Sequence, residues 1–180
     1  MREALSALSL ESKETEGTKI TGKVLVGKFL STRVFKRFSL SDIIKQSWQL
    51  RGRVQIEKIK ENIFKFSFTH KLERDRVYER RPWSMDKAHL IMKEWSVEVA
   101  LEDIQFDTSL LFMQIHGLPL KLLHLGVALA IGRQIGGLHE SSVSRRSVVA
   151  QRYLRVRIDV QVALPFPAGF FQAQEDGSER

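Results

Sequence analysis

Arg53-Val-Gln-Ile-Glu-Lys-Ile59 and Asn62-Ile-Phe-Lys-Phe-Ser-Phe-Thr69 are two runs of alternating residue character separated only by Lys60-Glu61. Period-two alternation marks a half-buried strand, and two such runs joined by a short polar pair predict a β-hairpin. Successive strand side chains point to opposite faces, so Phe64, Phe66 and Phe68 share one face and Ile63, Lys65 and Ser67 the other. Three rings in line are expected to pack into a core, whereas a register shift of one residue would expose all three.

Outward from this hairpin the pattern continues. Lys23 to Leu30 is rich in Val, Leu and Phe and reads as a strand. Ser39-Leu-Ser-Asp42 has capping-box form, and Leu40, Ile43, Ile44, Ser47 and Trp48 then fall on one helical stripe. Thr69 is placed to cap a charged helix, His70 to Arg80, which Pro82 ends, and His89 to Trp95 reads as a fourth strand. The order βαββαβ over residues 23–95 predicts an α+β, ferredoxin-like sandwich of the RNA-recognition-motif kind, with two helices on one sheet face and the other face open.

From residue 108 a β-α-β extension is expected. Its parts are a strand at Leu110 to His116, a turn at Gly117-Leu-Pro119, and a helix over about 122–134 with Leu123, Val127, Ala130, Ile131 and Gln134 on one side. Gly136-Gly137 is positioned to end that helix in a left-handed C-cap. A Ser-rich loop, Ser141 to Ser147, leads to a last strand at Arg152 to Val162. Residues 96–107 show no shift towards Pro, Gly or Ser, so the extension is expected to pack on the first unit. The predicted organisation is a flexible segment at 1–20, an RRM-like unit at 21–107, the extension at 108–167 and a flexible tail at 168–180.

The chain of 180 residues is 43% hydrophobic, enough for a packed core. It has no cysteine, which excludes disulfides and thiolate metal sites and suits a reducing intracellular setting, nuclear or cytoplasmic. No apolar run reaches the length of a membrane span, so no membrane partner is expected. The net charge of +8 is concentrated centrally: residues 23–107 hold 18 basic against 12 acidic side chains, and residues 108–167 hold 7 against 2. Such a body attracts polyanions through counterion release, an attraction that weakens with salt.

Several short pieces stand in a fixed order: Gly27-Lys28, Pro82-Trp83, Gln114-Ile-His-Gly-Leu-Pro119, Ile131-Gly132 with Ile135-Gly136, and Leu154-Arg-Val156. Together they resemble a plant domain-of-unknown-function family of retrotransposon-derived, gag-like proteins of LINE-type elements, over roughly residues 20 to 165. The resemblance implies nucleic-acid association rather than catalysis, usually helped by a downstream Cys-Cys-His-Cys zinc knuckle. A chain without cysteine lacks that knuckle, as a truncated copy or fragment would. Arg81 stands where the family has a glycine before Pro-Trp, which puts the geometry of that turn in question.

Compared with RNA-recognition motifs, the usual stacking positions on the open face fall on Leu25, Ile63 and Lys65, none of them a ring. Stacking on an aromatic contributes about 1–3 kcal/mol per base, so this face predicts weak, non-sequence-specific binding, with Lys65 and Lys28 as secondary contacts. The last strand is the stronger candidate. Its apolar residues alternate with Tyr153, Arg155, Arg157 and Asp159, and Arg145 and Arg146 precede it. Arginine forks hold phosphates and a ring stacks a base; the competing reading is the solvated face of an edge strand. Lys71, Arg74, Arg76, Arg80 and Arg81, interleaved with Glu73, Asp75 and Glu79, read as a solvated helix face.

No catalytic constellation emerges. His70, His89, His116, His124 and His139 lack the pair spacing of a zinc site, and His116 reads as fixing the turn before Pro119. Gly132-Arg-Gln-Ile-Gly-Gly137 follows a helix, where a phosphate loop precedes one. Trp48, Trp83 and Trp95 sit at element ends, where each ring can close the core while its N–H finds a partner. A non-enzyme with no cofactor, metal or small-molecule substrate is therefore expected. Its partner is single-stranded RNA or DNA; the alternative is a self-associating protein-interaction module or a truncated relic.

Overall fold

In the computed structural model, residues 22–143 and 153–165 are described, with no side-chain account for 139–143. The expected flexible segments at 1–20 and 168–180 lie outside the described residues. Two compact units are resolved, Met1–Leu110 and Leu111–Arg180. The fold is α+β, with antiparallel pairing in both sheets and three α-helices among the described residues.

The first unit is organised by the phenylalanine triplet. In β3 (Ile63–Phe68), Phe64, Phe66 and Phe68 are buried, and β3 pairs with β2 (Val54–Lys60) on one side and β1 (Val24–Leu30) on the other. The helices α1 (Arg37–Trp48) and α2 (Lys71–Glu79) bury Leu40, Ile44, Trp48 and Val77 against those rings. Trp48 stacks on Phe68 at 5.7 Å and meets Phe66 edge-on at 5.2 Å. Its indole N–H has no hydrogen-bond partner, contrary to expectation, because the ring is enclosed by other rings; Trp83 and Trp95 donate to the carbonyls of Val77 and Val99.

Local signals misplace several boundaries. The hairpin turns at Glu61-Asn62 rather than Lys60-Glu61, with Asn62 at a φ of 57°. The Asn62 side chain explains why. Its Oδ1 accepts the N–H of Phe35 at 2.9 Å, and its Nδ2 donates to the carbonyls of Ser31 at 3.0 Å and Arg33 at 2.9 Å. Those bonds and the burial of Phe35 fix where α1 starts, so its N-cap is Lys36 and not Ser39. Thr69 donates its hydroxyl to the Arg53 carbonyl, leaving His70 as the N-cap of α2. A short strand missed by the pattern, β4 (Trp83–Met85), forms a hairpin with β5 (Ala88–Glu94). Its turn residues Asp86 and Lys87 both have positive φ, the sign a type I′ turn requires. The Arg81–Pro82 peptide is cis.

The five-stranded sheet has the order β2-β3-β1-β5-β4. Its face opposite the helices is not open, which corrects the expectation. Val24, Val26 and Ile91 on it are buried, and apolar side chains of that size require cover. The chain after β5 supplies it. Lys60 Nζ donates to the Glu102 carbonyl at 2.9 Å and Lys93 Nζ to Thr108 Oγ1 at 2.7 Å, while His89 Nε2 lies 2.6 Å from Ser109 Oγ. Phe106 and Leu110 of the same segment are buried. Leu25 is also corrected: it pairs with Phe66 and is fully buried on the helix side, so it is no stacking position.

The second sheet has the order β6-β8-β7 and is formed by β6 (Thr108–Ile115), which begins in the last residues of the first unit, β8 (Leu154–Gln161) and β7 (Gly137–Val143), with α3 (Leu125–Ile135) packed on β8. Ala128, Ile131 and Gly132 are the buried positions of α3, whereas the predicted Ala130 and Gln134 are exposed. The stripe moves because the helix starts at Leu125, after a 3₁₀ turn at Leu120–Leu122. Gly136 is extended rather than left-handed (φ −170°). Glycine is needed there for close approach, since a Cβ would lie 2.4 Å from the Asp159 carbonyl oxygen. Strand β7 occupies part of the expected Ser-rich loop.

Candidate nucleic-acid interface

Alternation along two neighbouring strands builds the site. Leu154, Val156, Ile158 and Val160 of β8 are buried in the second core, which turns Arg155, Arg157 and Asp159 to the other face. On β6, Ile115 belongs to that core and Leu111 and Met113 pack against it, so Phe112 and Gln114 take the other face. The Arg155 guanidinium carbon lies 4.0 Å from the centre of the Phe112 ring and that of Arg157 lies 5.6 Å away. Beside them, the rings of His116 and Tyr153 are 4.8 Å apart and tilted by 31°. His116 Nε2 lies 3.0 Å from Gln114 Oε1; an amide oxygen only accepts, so His116 donates from Nε2.

Two arginines, three rings and an amide thus converge on one sheet face. Phe112, Arg155 and His116 are exposed and Tyr153 is half-buried, so rings and charge are both accessible. Arg157 is 8% exposed; it contributes a fixed charge rather than a mobile contact. Nor is β8 an edge strand, because β6 and β7 flank it. Arg145 and Arg146 lie outside the described residues. Phe112 and Gln114 are absent from the sequence-based candidates, and His116 stands among them only as a turn residue. Alternation along β6 carries the signal for Phe112 and Gln114, but only the pairing of β6 beside β8 brings them to the arginines.

The other candidates are placed differently. Lys28 and Lys65 are half-buried on the covered face of the first sheet, and Lys65 pairs with Glu57 at 3.0 Å. The basic helix is not a plain solvated face. Arg74 is 7% exposed and bridges Asp75 at 2.8 Å and Glu94 at 2.5 Å, while Arg76 donates to the carbonyls of Trp48 and Gln49 that end α1. Arg81 lies 3.2 Å over the Tyr78 ring. Burial pushes the Tyr78 hydroxyl above its ordinary range, against the lowering effect of Arg81. Among the described residues, no group of three His, Cys, Asp or Glu could hold a metal ion, and no helix is long and apolar enough to cross a membrane.

No curated protein matches this chain. The family match ends before β6, so Gln114–Pro119 and Leu154–Val156 fall outside it. Residues 21–103, which comprise the five-stranded sheet and its two helices, match the family model described as Domain of unknown function (DUF4283), so this stretch is similar to that domain.

Proposed function

We propose that the protein is a non-enzymatic binder of single-stranded RNA or DNA, as expected of a retrotransposon-derived gag-like protein, acting through the β6–β8 face. The observation that carries this reading is the stacking of Arg155 on Phe112 beside the His116–Tyr153 ring pair. Arginine forks match phosphate oxygens, and exposed ring faces accept unpaired bases of any identity. A duplex keeps its bases stacked and offers such rings nothing, so single strands are favoured.

In the same reading the first unit is a ferredoxin-like, RRM-like module. The strand order β2-β3-β1-β5 and the two helices on one face fit that description. Its usual base-stacking face lies under residues 101–110 and carries no ring at Val26, Ile63 or Lys65, which favours the second unit as the nucleic-acid contact.

Fluorescence anisotropy of the full chain with labelled single-stranded RNA, single-stranded DNA and duplex, over a range of salt, tests the proposal. Micromolar single-strand binding that weakens steeply with salt is expected, with a further loss in Arg155→Ala. Absence of binding at low salt, together with concentration-dependent self-association, would replace it with a protein-assembly role.

A further inference from the structure

The loop between α1 and β2, residues 49–53, is held far more firmly than a solvated turn requires. Arg76 donates to the Trp48 and Gln49 carbonyls at 3.1 and 3.0 Å. Glu73 Oε1 accepts the backbone N–H of Arg51 at 2.7 Å, and both its oxygens accept that of Gly52 at 3.1 and 3.2 Å. At the far end, the Arg53 carbonyl accepts from the Thr69 N–H at 3.2 Å and the Thr69 hydroxyl at 2.9 Å. A Cβ on Gly52 would lie 2.6 Å from Glu73 Oε2 and 3.0 Å from His70 Cδ2, so a side chain there would displace the Glu73 carboxylate from the loop.

These bonds use only the backbone of Arg51 and Arg53. Arg51, Arg53 and His70 are exposed, and no ion pair among the described residues involves them. Glu73, the carboxylate that holds the loop, accepts from backbone N–H groups and feels the charges of His70 and Arg76 but forms no ion pair with Arg51 or Arg53, and neighbouring Lys71 is paired with Asp75 at 2.8 Å. The edge of the His70 ring lies beside Gly52, the residue that separates the two arginines, so three exposed nitrogen-bearing side chains branch from neighbouring positions on a firmly held backbone. Ordering a guanidinium on binding costs less when its backbone is already fixed.

We propose that Arg51, Arg53 and His70 form a second phosphate-binding cradle, in the first unit, for the phosphodiester backbone of nucleic acid. Among the described residues no ring packs with these arginines, so the cradle reads charge and fork geometry and is indifferent to base identity. It shares its partner with the β6–β8 reading but none of its residues.

The test is a salt series of anisotropy titrations of the full chain with a single-stranded RNA oligonucleotide. The proteins compared are the wild type, Arg51→Ala/Arg53→Ala, Arg51→Lys/Arg53→Lys and Arg155→Ala, with circular dichroism confirming the fold of each. The alanine pair is expected to weaken binding several-fold and to lower the slope of log K against log salt by about 1.4, as loss of two single-strand phosphate contacts requires. The lysine pair should keep the slope while losing part of the affinity. An unchanged slope and affinity in the alanine pair, with Arg155→Ala still weakened, would sink the cradle and spare the β6–β8 site. The reverse pattern would keep the cradle and sink that site. Wild-type protein that ignores RNA, whether or not it binds phosphatidylserine vesicles, would overturn both assignments.

Discussion

The guanidinium of Arg155 lies 4.0 Å from the centre of the Phe112 ring, joining a cation on β8 to an exposed aromatic on β6. The ring restrains the guanidinium at the surface and keeps part of its own face free. Phe112→Ala should therefore weaken single-strand RNA binding by about 1 kcal/mol or more, while Phe112→Trp should retain it. Anisotropy titration checks this. Equal affinities for all three proteins would remove the ring from the interface.

Asn62 carries more of the first unit's stability than its place in a hairpin turn suggests. Asn62→Ala strips partners from the Phe35 N–H and from the Ser31 and Arg33 carbonyls, and puts alanine at a left-handed φ. A loss of about 3 kcal/mol is expected in urea denaturation, from buried polar groups left unpaired. Asn62→Gly should recover only the backbone share, about 1 kcal/mol. If the glycine variant matched the wild type, the side-chain bonds would be shown to contribute nothing.

Two glycines should differ in their tolerance of a methyl group. A Cβ on Gly27 meets Leu90 Cδ1 at 2.8 Å and the Phe66 ring at 2.9 Å, both side-chain atoms in the first core. Gly27→Ala is expected to cost about 1–3 kcal/mol by overpacking. On Gly136 the obstacle is the Asp159 carbonyl oxygen, which moves only with β8 itself. Gly136→Ala should therefore separate α3 from β8 and lower the unfolding midpoint more than Gly27→Ala does. The reverse ranking would mean that β8 yields more readily than the side chains of the first core.

Burial alone lowers the His89 pKa in the folded protein, where the ring meets the Ser109 hydroxyl. A histidine whose folded pKa is depressed contributes stability that is complete above its unfolded pKa and is lost as pH falls through the folded value. The thermal unfolding temperature should thus fall below about pH 6.5, and His89→Gln should flatten that dependence. Glu73 behaves alike at lower pH. Burial raises its carboxyl, but the N–H groups of Gly52 and Arg51 and the charges of His70 and Arg76 outweigh that and hold it below the ordinary value. Glu73→Gln should remove part of the acid limb below the carboxylate range. A His89→Gln variant with the wild-type pH profile would show that the ring titrates freely.

Much of this was legible in the residues. Alternation placed Phe64, Phe66 and Phe68 in a core, and the Leu40, Ile44 and Trp48 stripe on the helix that covers them. It also separated Arg155 and Arg157 from the apolar side of β8. These signals are local and periodic, so the chain order suffices to read them. A helix start at Ser39 and a stripe through Ala130 do not hold, because caps and phase are set by distant partners: Asn62 for α1, and the 3₁₀ turn with β8 for α3.

Hydrophobic periodicity and backbone geometry act within a few residues, so the residue pattern alone marked β1, β3, β8 and α1 and the apolar face of β3, β8 and α1, while β4, β7 and the stripe of α3 escaped it. Long-range packing set the rest: residues 101–110 cover the second face of the first sheet, and Phe112, Gln114 and His116 stand beside Tyr153 and Arg155. Those neighbours are some forty positions apart in the chain. What brings them together is strand pairing and the burial of Ile115, Leu154 and Val156 beneath them, a cooperative outcome that no local pattern encodes.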